Sequence, residues 1–123
     1  MSYAERHSIT VVTASDGSAT AYSPVVTGKV SQIRYVKTDY STGVDFTITA
    51  EATGETIWTQ VNVDASVTIA PRQATHSTAG VAALYAAAGT AVNEKIVLSN
   101  DRVKIVIAAG GATKTGTFHL IME

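Results

Sequence analysis

The chain has 123 residues and a mass of 12.8 kDa, which is the size of one domain. Hydrophobic residues make up 46% of it and charged residues 15%, with nine basic against ten acidic side chains. This balance excludes the signature of disorder and indicates neither a nucleic-acid nor a membrane partner. The absence of cysteine excludes disulfides, thiolate metal sites and cysteine nucleophiles. We therefore expect one folded domain spanning residues 1–123.

The N-terminal residues carry Glu5 and Arg6 before any apolar run, so no signal peptide and no secretory export are predicted. Residues 1–8 are interpreted as an arm that orders on a neighbouring molecule or, equally, as a frayed terminus. Tyr3 is a candidate contact residue in this arm. The longest weakly polar stretch, Ala79–Ala91, is too short and too poor in large apolar side chains to span a bilayer, so a soluble protein is expected.

Alternation of apolar and polar residues predicts most of the chain to be strands. In chain order, the predicted strands are Ser8–Thr13, Val25–Lys37 (as one strand or two), Val44–Glu51, Thr56–Val63, Ser66–Ala70, Lys95–Ser99, Arg102–Ala109 and Thr115–Met122. Gly28 is expected to bend or bulge the second of these segments. Asn100 and Asp101 tolerate positive φ, and this predicts a two-residue hairpin between the strands on either side of them.

A short helix is predicted in the connection before residue 90. Apolar residues recur there at helical spacing, namely Val81, Leu84, Tyr85 and Ala88. Ser77 or Thr78 could cap its start and Gly89 its end. Together these elements predict an all-β fold, an antiparallel β-sandwich or jelly roll of seven to eight strands with one short helix in a connecting loop.

The sequence offers no set of residues with the spacing of an active site. The three histidines, His7, His76 and His119, are far apart, and no G-x-S-x-G motif is present. Asp45 and Glu51 share a strand face, but six residues of strand place them roughly 20 Å apart. We therefore predict no catalytic residues, no cofactor, no metal and no enzymatic activity.

Trp58 is the leading candidate for a contact with a partner. Alternation assigns it to the polar strand face with Thr56 and Gln60, and exposed tryptophan is typical of binding surfaces. A two-sided strand at the edge of a sandwich, or a packed cluster without a ligand, is the alternative interpretation. The other candidate interface residues are Tyr40 as a second anchor, Tyr85, Arg34 as the partner of a carboxylate, and Tyr3.

Several segments resemble small virion proteins of tailed bacteriophages. They are Tyr40–Phe46, Pro71–His76, the Ala-rich Gly80–Gly89, Ile96–Val106 and Gly110–Phe118, so the resemblance covers most of the chain from about residue 28 onward. It implies a β-rich capsid decoration or cement protein, which binds the major capsid protein of the assembled shell as an oligomer. By this resemblance the partners are the major capsid protein and the chain itself, as homotrimer or homodimer, and the location is the virion, assembled in the host cytoplasm.

Two other functions stay open at this stage. Some small β-proteins of the same particles serve the neck or the tail, and no motif separates these roles. A carbohydrate-binding β-sandwich module is the alternative from another class, with Trp58 and Tyr40 as the platform on which a sugar stacks.

Overall fold

The computed structural model describes residues 4–123, which form ten β-strands and no helix. The strands are β1 (Glu5–Val12), β2 (Ala19–Tyr22), β3 (Val26–Lys37), β4 (Asp45–Ala50), β5 (Thr56–Gln60), β6 (Val67–Ile69), β7 (Arg72–Ala74), β8 (Asn93–Asp101), β9 (Val103–Ala108) and β10 (Thr115–Met122). Residues 4–123 contain no helix of the length and apolarity needed to cross a membrane.

The strands form two antiparallel sheets. The larger sheet has six strands in the order β1-β10-β3-β8-β7, with β6 beside the second half of β3. The smaller sheet has four strands in the order β2-β9-β4-β5. The two sheets pack together, an arrangement consistent with a β-sandwich. The prediction of an all-β antiparallel fold is therefore confirmed, although the strands number ten and not seven or eight.

An aromatic cluster joins the two sheets at the centre of the core. Phe46 comes from the smaller sheet, and its ring lies 4.7 Å from that of Tyr35 and 5.0 Å from that of Phe118, both of the larger sheet. Both contacts are edge-to-face, the arrangement that the charge distribution of aromatic rings favours. Tyr40 and Trp58 complete the cluster.

The best-patterned strands lie where the sequence predicts them. β4 buries Phe46, Ile48 and Ala50, and β10 spans the predicted residues 115–122. The expected irregularity at Gly28 is also present, because the register of β3 with β8 shifts between Val26 and Gly28, whose φ is 138°. An added Cβ at Gly28 would approach the carbonyl oxygen of Glu123 to 2.8 Å, so glycine is needed there.

The predicted hairpin at Asn100–Asp101 is wrong, because β8 and β9 belong to different sheets. Asn100 does adopt a positive φ of 50°, but the chain there passes from one sheet to the other. The buried Asp101 carboxylate accepts the N–H groups of Arg102 and Ala52, at 2.7 and 2.9 Å. Local turn propensity was predicted correctly, but the strand partners were not.

The predicted helix is also wrong. Residues 75–92 form a loop that closes on itself through short bridges, His76 with Ala82 and Leu84 with Ala91. An isolated helix of three turns is marginal in water and requires an apolar surface to pack against. No residue of this loop belongs to the core. A helix here would therefore have no apolar surface on which to bury its apolar face.

The predicted N-terminal arm lies partly in the larger sheet. Glu5 to Ser8 form the first half of β1 and pair with β10, from Met122 to His119. Tyr3 lies outside the described residues.

Candidate functional site

Trp58 is buried, with 8% of its surface exposed, so its predicted exposure is wrong. Ile48 pairs with Trp58 and Thr49 with Thr56, which leaves Ile57 as an extra residue in β5. This irregularity turns the Trp58 ring inward to within 5.5 Å of Phe46 and leaves Val61 exposed. The alternative interpretation of Trp58, a packed cluster, agrees with this position, and the structure shows that the cluster is aromatic.

Tyr40 is likewise buried, and its hydroxyl donates a hydrogen bond of 2.6 Å to the carbonyl of Val11. Its ring stacks on that of Tyr35 at a centroid distance of 6.1 Å. Tyr40 is therefore a core residue, and its position does not support the predicted role as a second anchor for a partner.

Arg34 is exposed on the outer face of the larger sheet. Its guanidinium donates to the hydroxyl of Thr68 at 3.0 Å, and within residues 4–123 it forms no ion pair. The predicted carboxylate partner is thus not supplied by the described part of this chain.

Tyr85 lies in the loop of residues 75–92, which we call the apolar loop. The backbone of this loop is bonded within itself. Ala83 N–H donates to Thr75 at 2.9 Å, Val92 N–H to Ala83 at 3.0 Å, and Tyr85 N–H to the carbonyl of Thr90 at 3.0 Å. Tight turns at Ser77–Val81 and Ala86–Thr90 connect the extended segments. The main chain of the loop therefore has an ordered path without packing on the sheets.

The apolar loop directs its large side chains into solvent. Tyr85 is 75% exposed, Val81 65% and Leu84 44%. No Asp, Glu, Lys or Arg occurs between Arg72 and Glu94, so the loop carries no permanent side-chain charge. Internally bonded backbone with exposed apolar side chains is typical of a surface that packs against another protein.

The base of the loop, in contrast, is charged. Glu94 follows the loop, and its pKa is held below the ordinary value by the N–H of Lys95 and by the charges of Lys29, Lys95 and Arg72. Lys95 also forms an ion pair with Glu123. Lys29, Glu94, Lys95 and Glu123 line a groove of about 510 Å³.

The described residues contain no group of three or more His, Cys, Asp or Glu side chains placed to hold a metal ion. The histidine predicted on an outward strand position, His119, does lie on the outer face of the larger sheet. Its Nδ1 is 2.8 Å from the Ser8 hydroxyl.

Comparisons with known proteins add no relative. No protein-family model matches the chain, and a search of curated proteins finds no match either.

Val81 and Leu84 are exposed, although their helical spacing predicts that they pack together on one face of a helix. Two signals were available. One is the uninterrupted run without charge from residue 73 to 93, and the other is the pair Gly80 and Gly89, which favours turns over a continuous helix.

Proposed function

We propose that this protein is a non-enzymatic structural protein of a tailed-bacteriophage virion, a decoration protein that binds and stabilises the major capsid shell. The sequence resemblance supports the family, and the exposed apolar loop supports binding through a protein contact. Its partners are the major capsid protein and further copies of the chain, and its location is the virion.

The apolar loop is the observation that carries this proposal. A decoration protein needs a rigid scaffold that presents a contact surface. The loop presents Val81, Leu84 and Tyr85 from the β7–β8 end of the larger sheet, which is held to the smaller sheet by a continuous core. Burying side chains of this size contributes about 1.5–3 kcal/mol each. The carbohydrate-binding alternative loses support because Trp58 and Tyr40, its proposed platform, are buried.

Co-sedimentation with empty shells assembled from the major capsid protein of the same genome tests the proposal. We expect the wild-type chain to bind at a fixed ratio to the capsid subunit. The double variant Val81→Ser/Tyr85→Ser should bind at least about tenfold more weakly, because two apolar contacts are lost. Val25→Ser is the matched control, since Val25 is 58% exposed but lies outside the loop.

Other outcomes would contradict this role. Binding at only a few copies per particle would favour the neck or tail. A chain that does not sediment with shells, or a double variant that binds as well as Val25→Ser, would overturn the proposal.

A further inference from the structure

The outer face of the larger sheet, defined here as the basic face, gathers most of the cationic side chains of a chain whose net charge is −1. Buried and more accessible positions alternate along most of its strands, and the accessible set includes five of the nine Lys and Arg residues, four exposed and one half-buried. These five are Arg6, Lys29, Arg34, Arg72 and Lys95. Glu94 and Glu123 lie beside them, next to Lys95.

The strand register places these cations on neighbouring strands. Arg6 lies opposite Ile121, and Arg34 lies opposite His119 two residues earlier on the same strand, β10. Arg6 and Arg34 are therefore two strand spacings apart across the sheet and two residues apart along it, which together make about 12 Å. The guanidinium of Arg72 donates to the carbonyl of Ser31 on β3 at 3.2 Å, so it extends over the same face.

Three of the four arginines in the chain are on this face, and of the three only Arg72 contributes to the lowered pKa of a carboxylate among the described residues, that of Glu94. Arg34 bonds a hydroxyl and Arg72 bonds two backbone carbonyls. Within residues 4–123, no carboxylate forms an ion pair with Arg6, Arg34 or Arg72. Arg102, on the smaller sheet, shows the contrasting arrangement, because it is paired with Glu51.

We propose that the basic face is a docking surface for an acidic protein surface, whose carboxylates are bound by Arg6, Arg34 and Arg72. Guanidinium groups bind carboxylates through two parallel hydrogen bonds, and arginine is enriched at protein interfaces. Separate arginines, such as Arg6 and Arg34 about 12 Å apart, suit individual carboxylates. Glu94 and Glu123 on the same face would repel a continuous phosphate backbone, which disfavours a nucleic acid. The identification of this acidic surface with the capsid shell rests on the function proposed above.

A first experiment tests the chemistry without any shell. The full chain is titrated with poly-L-glutamate and, separately, with duplex DNA of equal total charge, at about 0.1 M salt. We expect tighter binding to poly-L-glutamate, at least tenfold weaker binding in the triple variant Arg6→Gln/Arg34→Gln/Arg72→Gln, and loss of binding at about 1 M salt, where screening is strong. The control Lys37→Gln/Lys104→Gln/Lys114→Gln removes the same charge elsewhere and should change the affinity less than threefold.

Three results would overturn the inference. They are tighter binding to DNA than to poly-L-glutamate, equal losses in the two triple variants, and no binding of poly-L-glutamate by the wild-type chain. Far-ultraviolet circular dichroism of each variant shows whether the fold is kept. An Arg34→Lys variant retains the charge and loses the planar guanidinium. Its affinity for poly-L-glutamate should therefore lie between those of the wild type and of the triple arginine variant.

The shell assay then separates this inference from the proposed function. If the arginine variant and the lysine control sediment with shells equally well, the acidic surface is not on the shell, although the virion role stands. If wild-type protein binds poly-L-glutamate but no shell, the virion role fails and the basic face retains its proposed chemistry.

Discussion

Tyr35 and Tyr40 lie in the same aromatic cluster, but their hydroxyl groups have different surroundings. The Tyr40 hydroxyl donates to the carbonyl of Val11, whereas the Tyr35 hydroxyl is buried without a hydrogen-bond partner. A buried polar group without a partner loses its hydration and gains nothing in return. The two residues therefore form a matched pair for measuring what a buried hydroxyl contributes.

We expect Tyr40→Phe to lower the free energy of unfolding by about 1–2 kcal/mol, because the Val11 carbonyl loses its donor. Tyr35→Phe should leave that free energy unchanged or raise it by up to about 1 kcal/mol. Urea unfolding of both variants and of the wild type measures the difference. A Tyr35→Phe variant less stable than Tyr40→Phe would contradict the assignment.

Alkaline pH should destabilise the protein through the same residues. Burial raises the pKa of Tyr35 to about 12. The pKa of Tyr40 is raised mainly by burial and, to a smaller extent, by the nearby charge of the ionised Tyr35. The unfolded chain releases these protons near pH 10, before the folded chain does, so the free energy of unfolding should fall as the pH rises from about 10 to about 12.

Urea unfolding at a series of pH values checks this expectation. The decline should be shallower in Tyr35→Phe, by up to about 1.4 kcal/mol per pH unit, because one titrating group is removed. An identical decline in wild type and variant would show that Tyr35 does not contribute.

Among the strands, β10 packs closely on the core because it has a glycine, Gly116, where the Tyr40 ring lies against it. Gly116 lies directly under the ring of Tyr40, and an added Cβ would collide with that ring. The tight contact explains why a residue of low strand propensity occupies the interior of a central strand of the sheet.

We expect Gly116→Ala to lower the free energy of unfolding by more than about 2 kcal/mol, because a methyl group must displace the buried ring. Gly54→Ala is the control. Gly54 has a positive φ of 75° but no atom within 4 Å of the added Cβ, so only the backbone strain of about 1 kcal/mol applies. The comparison uses thermal and urea unfolding, and equal losses in the two variants would exclude a special role of the Tyr40 contact.

At the scale of the whole molecule, the apolar loop is separable from the scaffold. The loop begins and ends side by side, since the N–H of Thr75 donates to the carbonyl of Val92 at 2.8 Å. None of its residues belongs to the core. Loops that close over a short distance can be shortened at little cost in free energy.

Replacement of residues 76–91 by Asn-Gly should therefore preserve the fold. We expect the midpoint of thermal unfolding to stay within about 5 °C of the wild type, since the entropy of closing the loop is reduced and no core contact is lost. Shell binding should be abolished in the same variant. A chain that no longer folds would show that the loop is part of the scaffold.

The strands with strict alternation could be predicted from the sequence because each is half-buried, and burial of one face imposes a period of two. β4 and β10 illustrate this. β5 shows the limit, since the extra residue Ile57 buries two consecutive side chains and moves Trp58 inward. Nothing local to residues 56–63 signals this irregularity, because it arises from the pairing with β4.

The all-β character of this protein can be predicted from its amino-acid sequence alone. Hydrophobic periodicity and turn residues are recognisable within a few neighbouring positions, and they specify strands and turns locally. Only the tertiary structure decided which strands pair, whether residues 75–92 find a surface to pack on, and how charge is distributed. Five of the nine cations come from positions as far apart as 6 and 95 in the chain, and their gathering on one face depends on strand order and register. These are contacts between residues far apart in sequence, and a local pattern does not encode them.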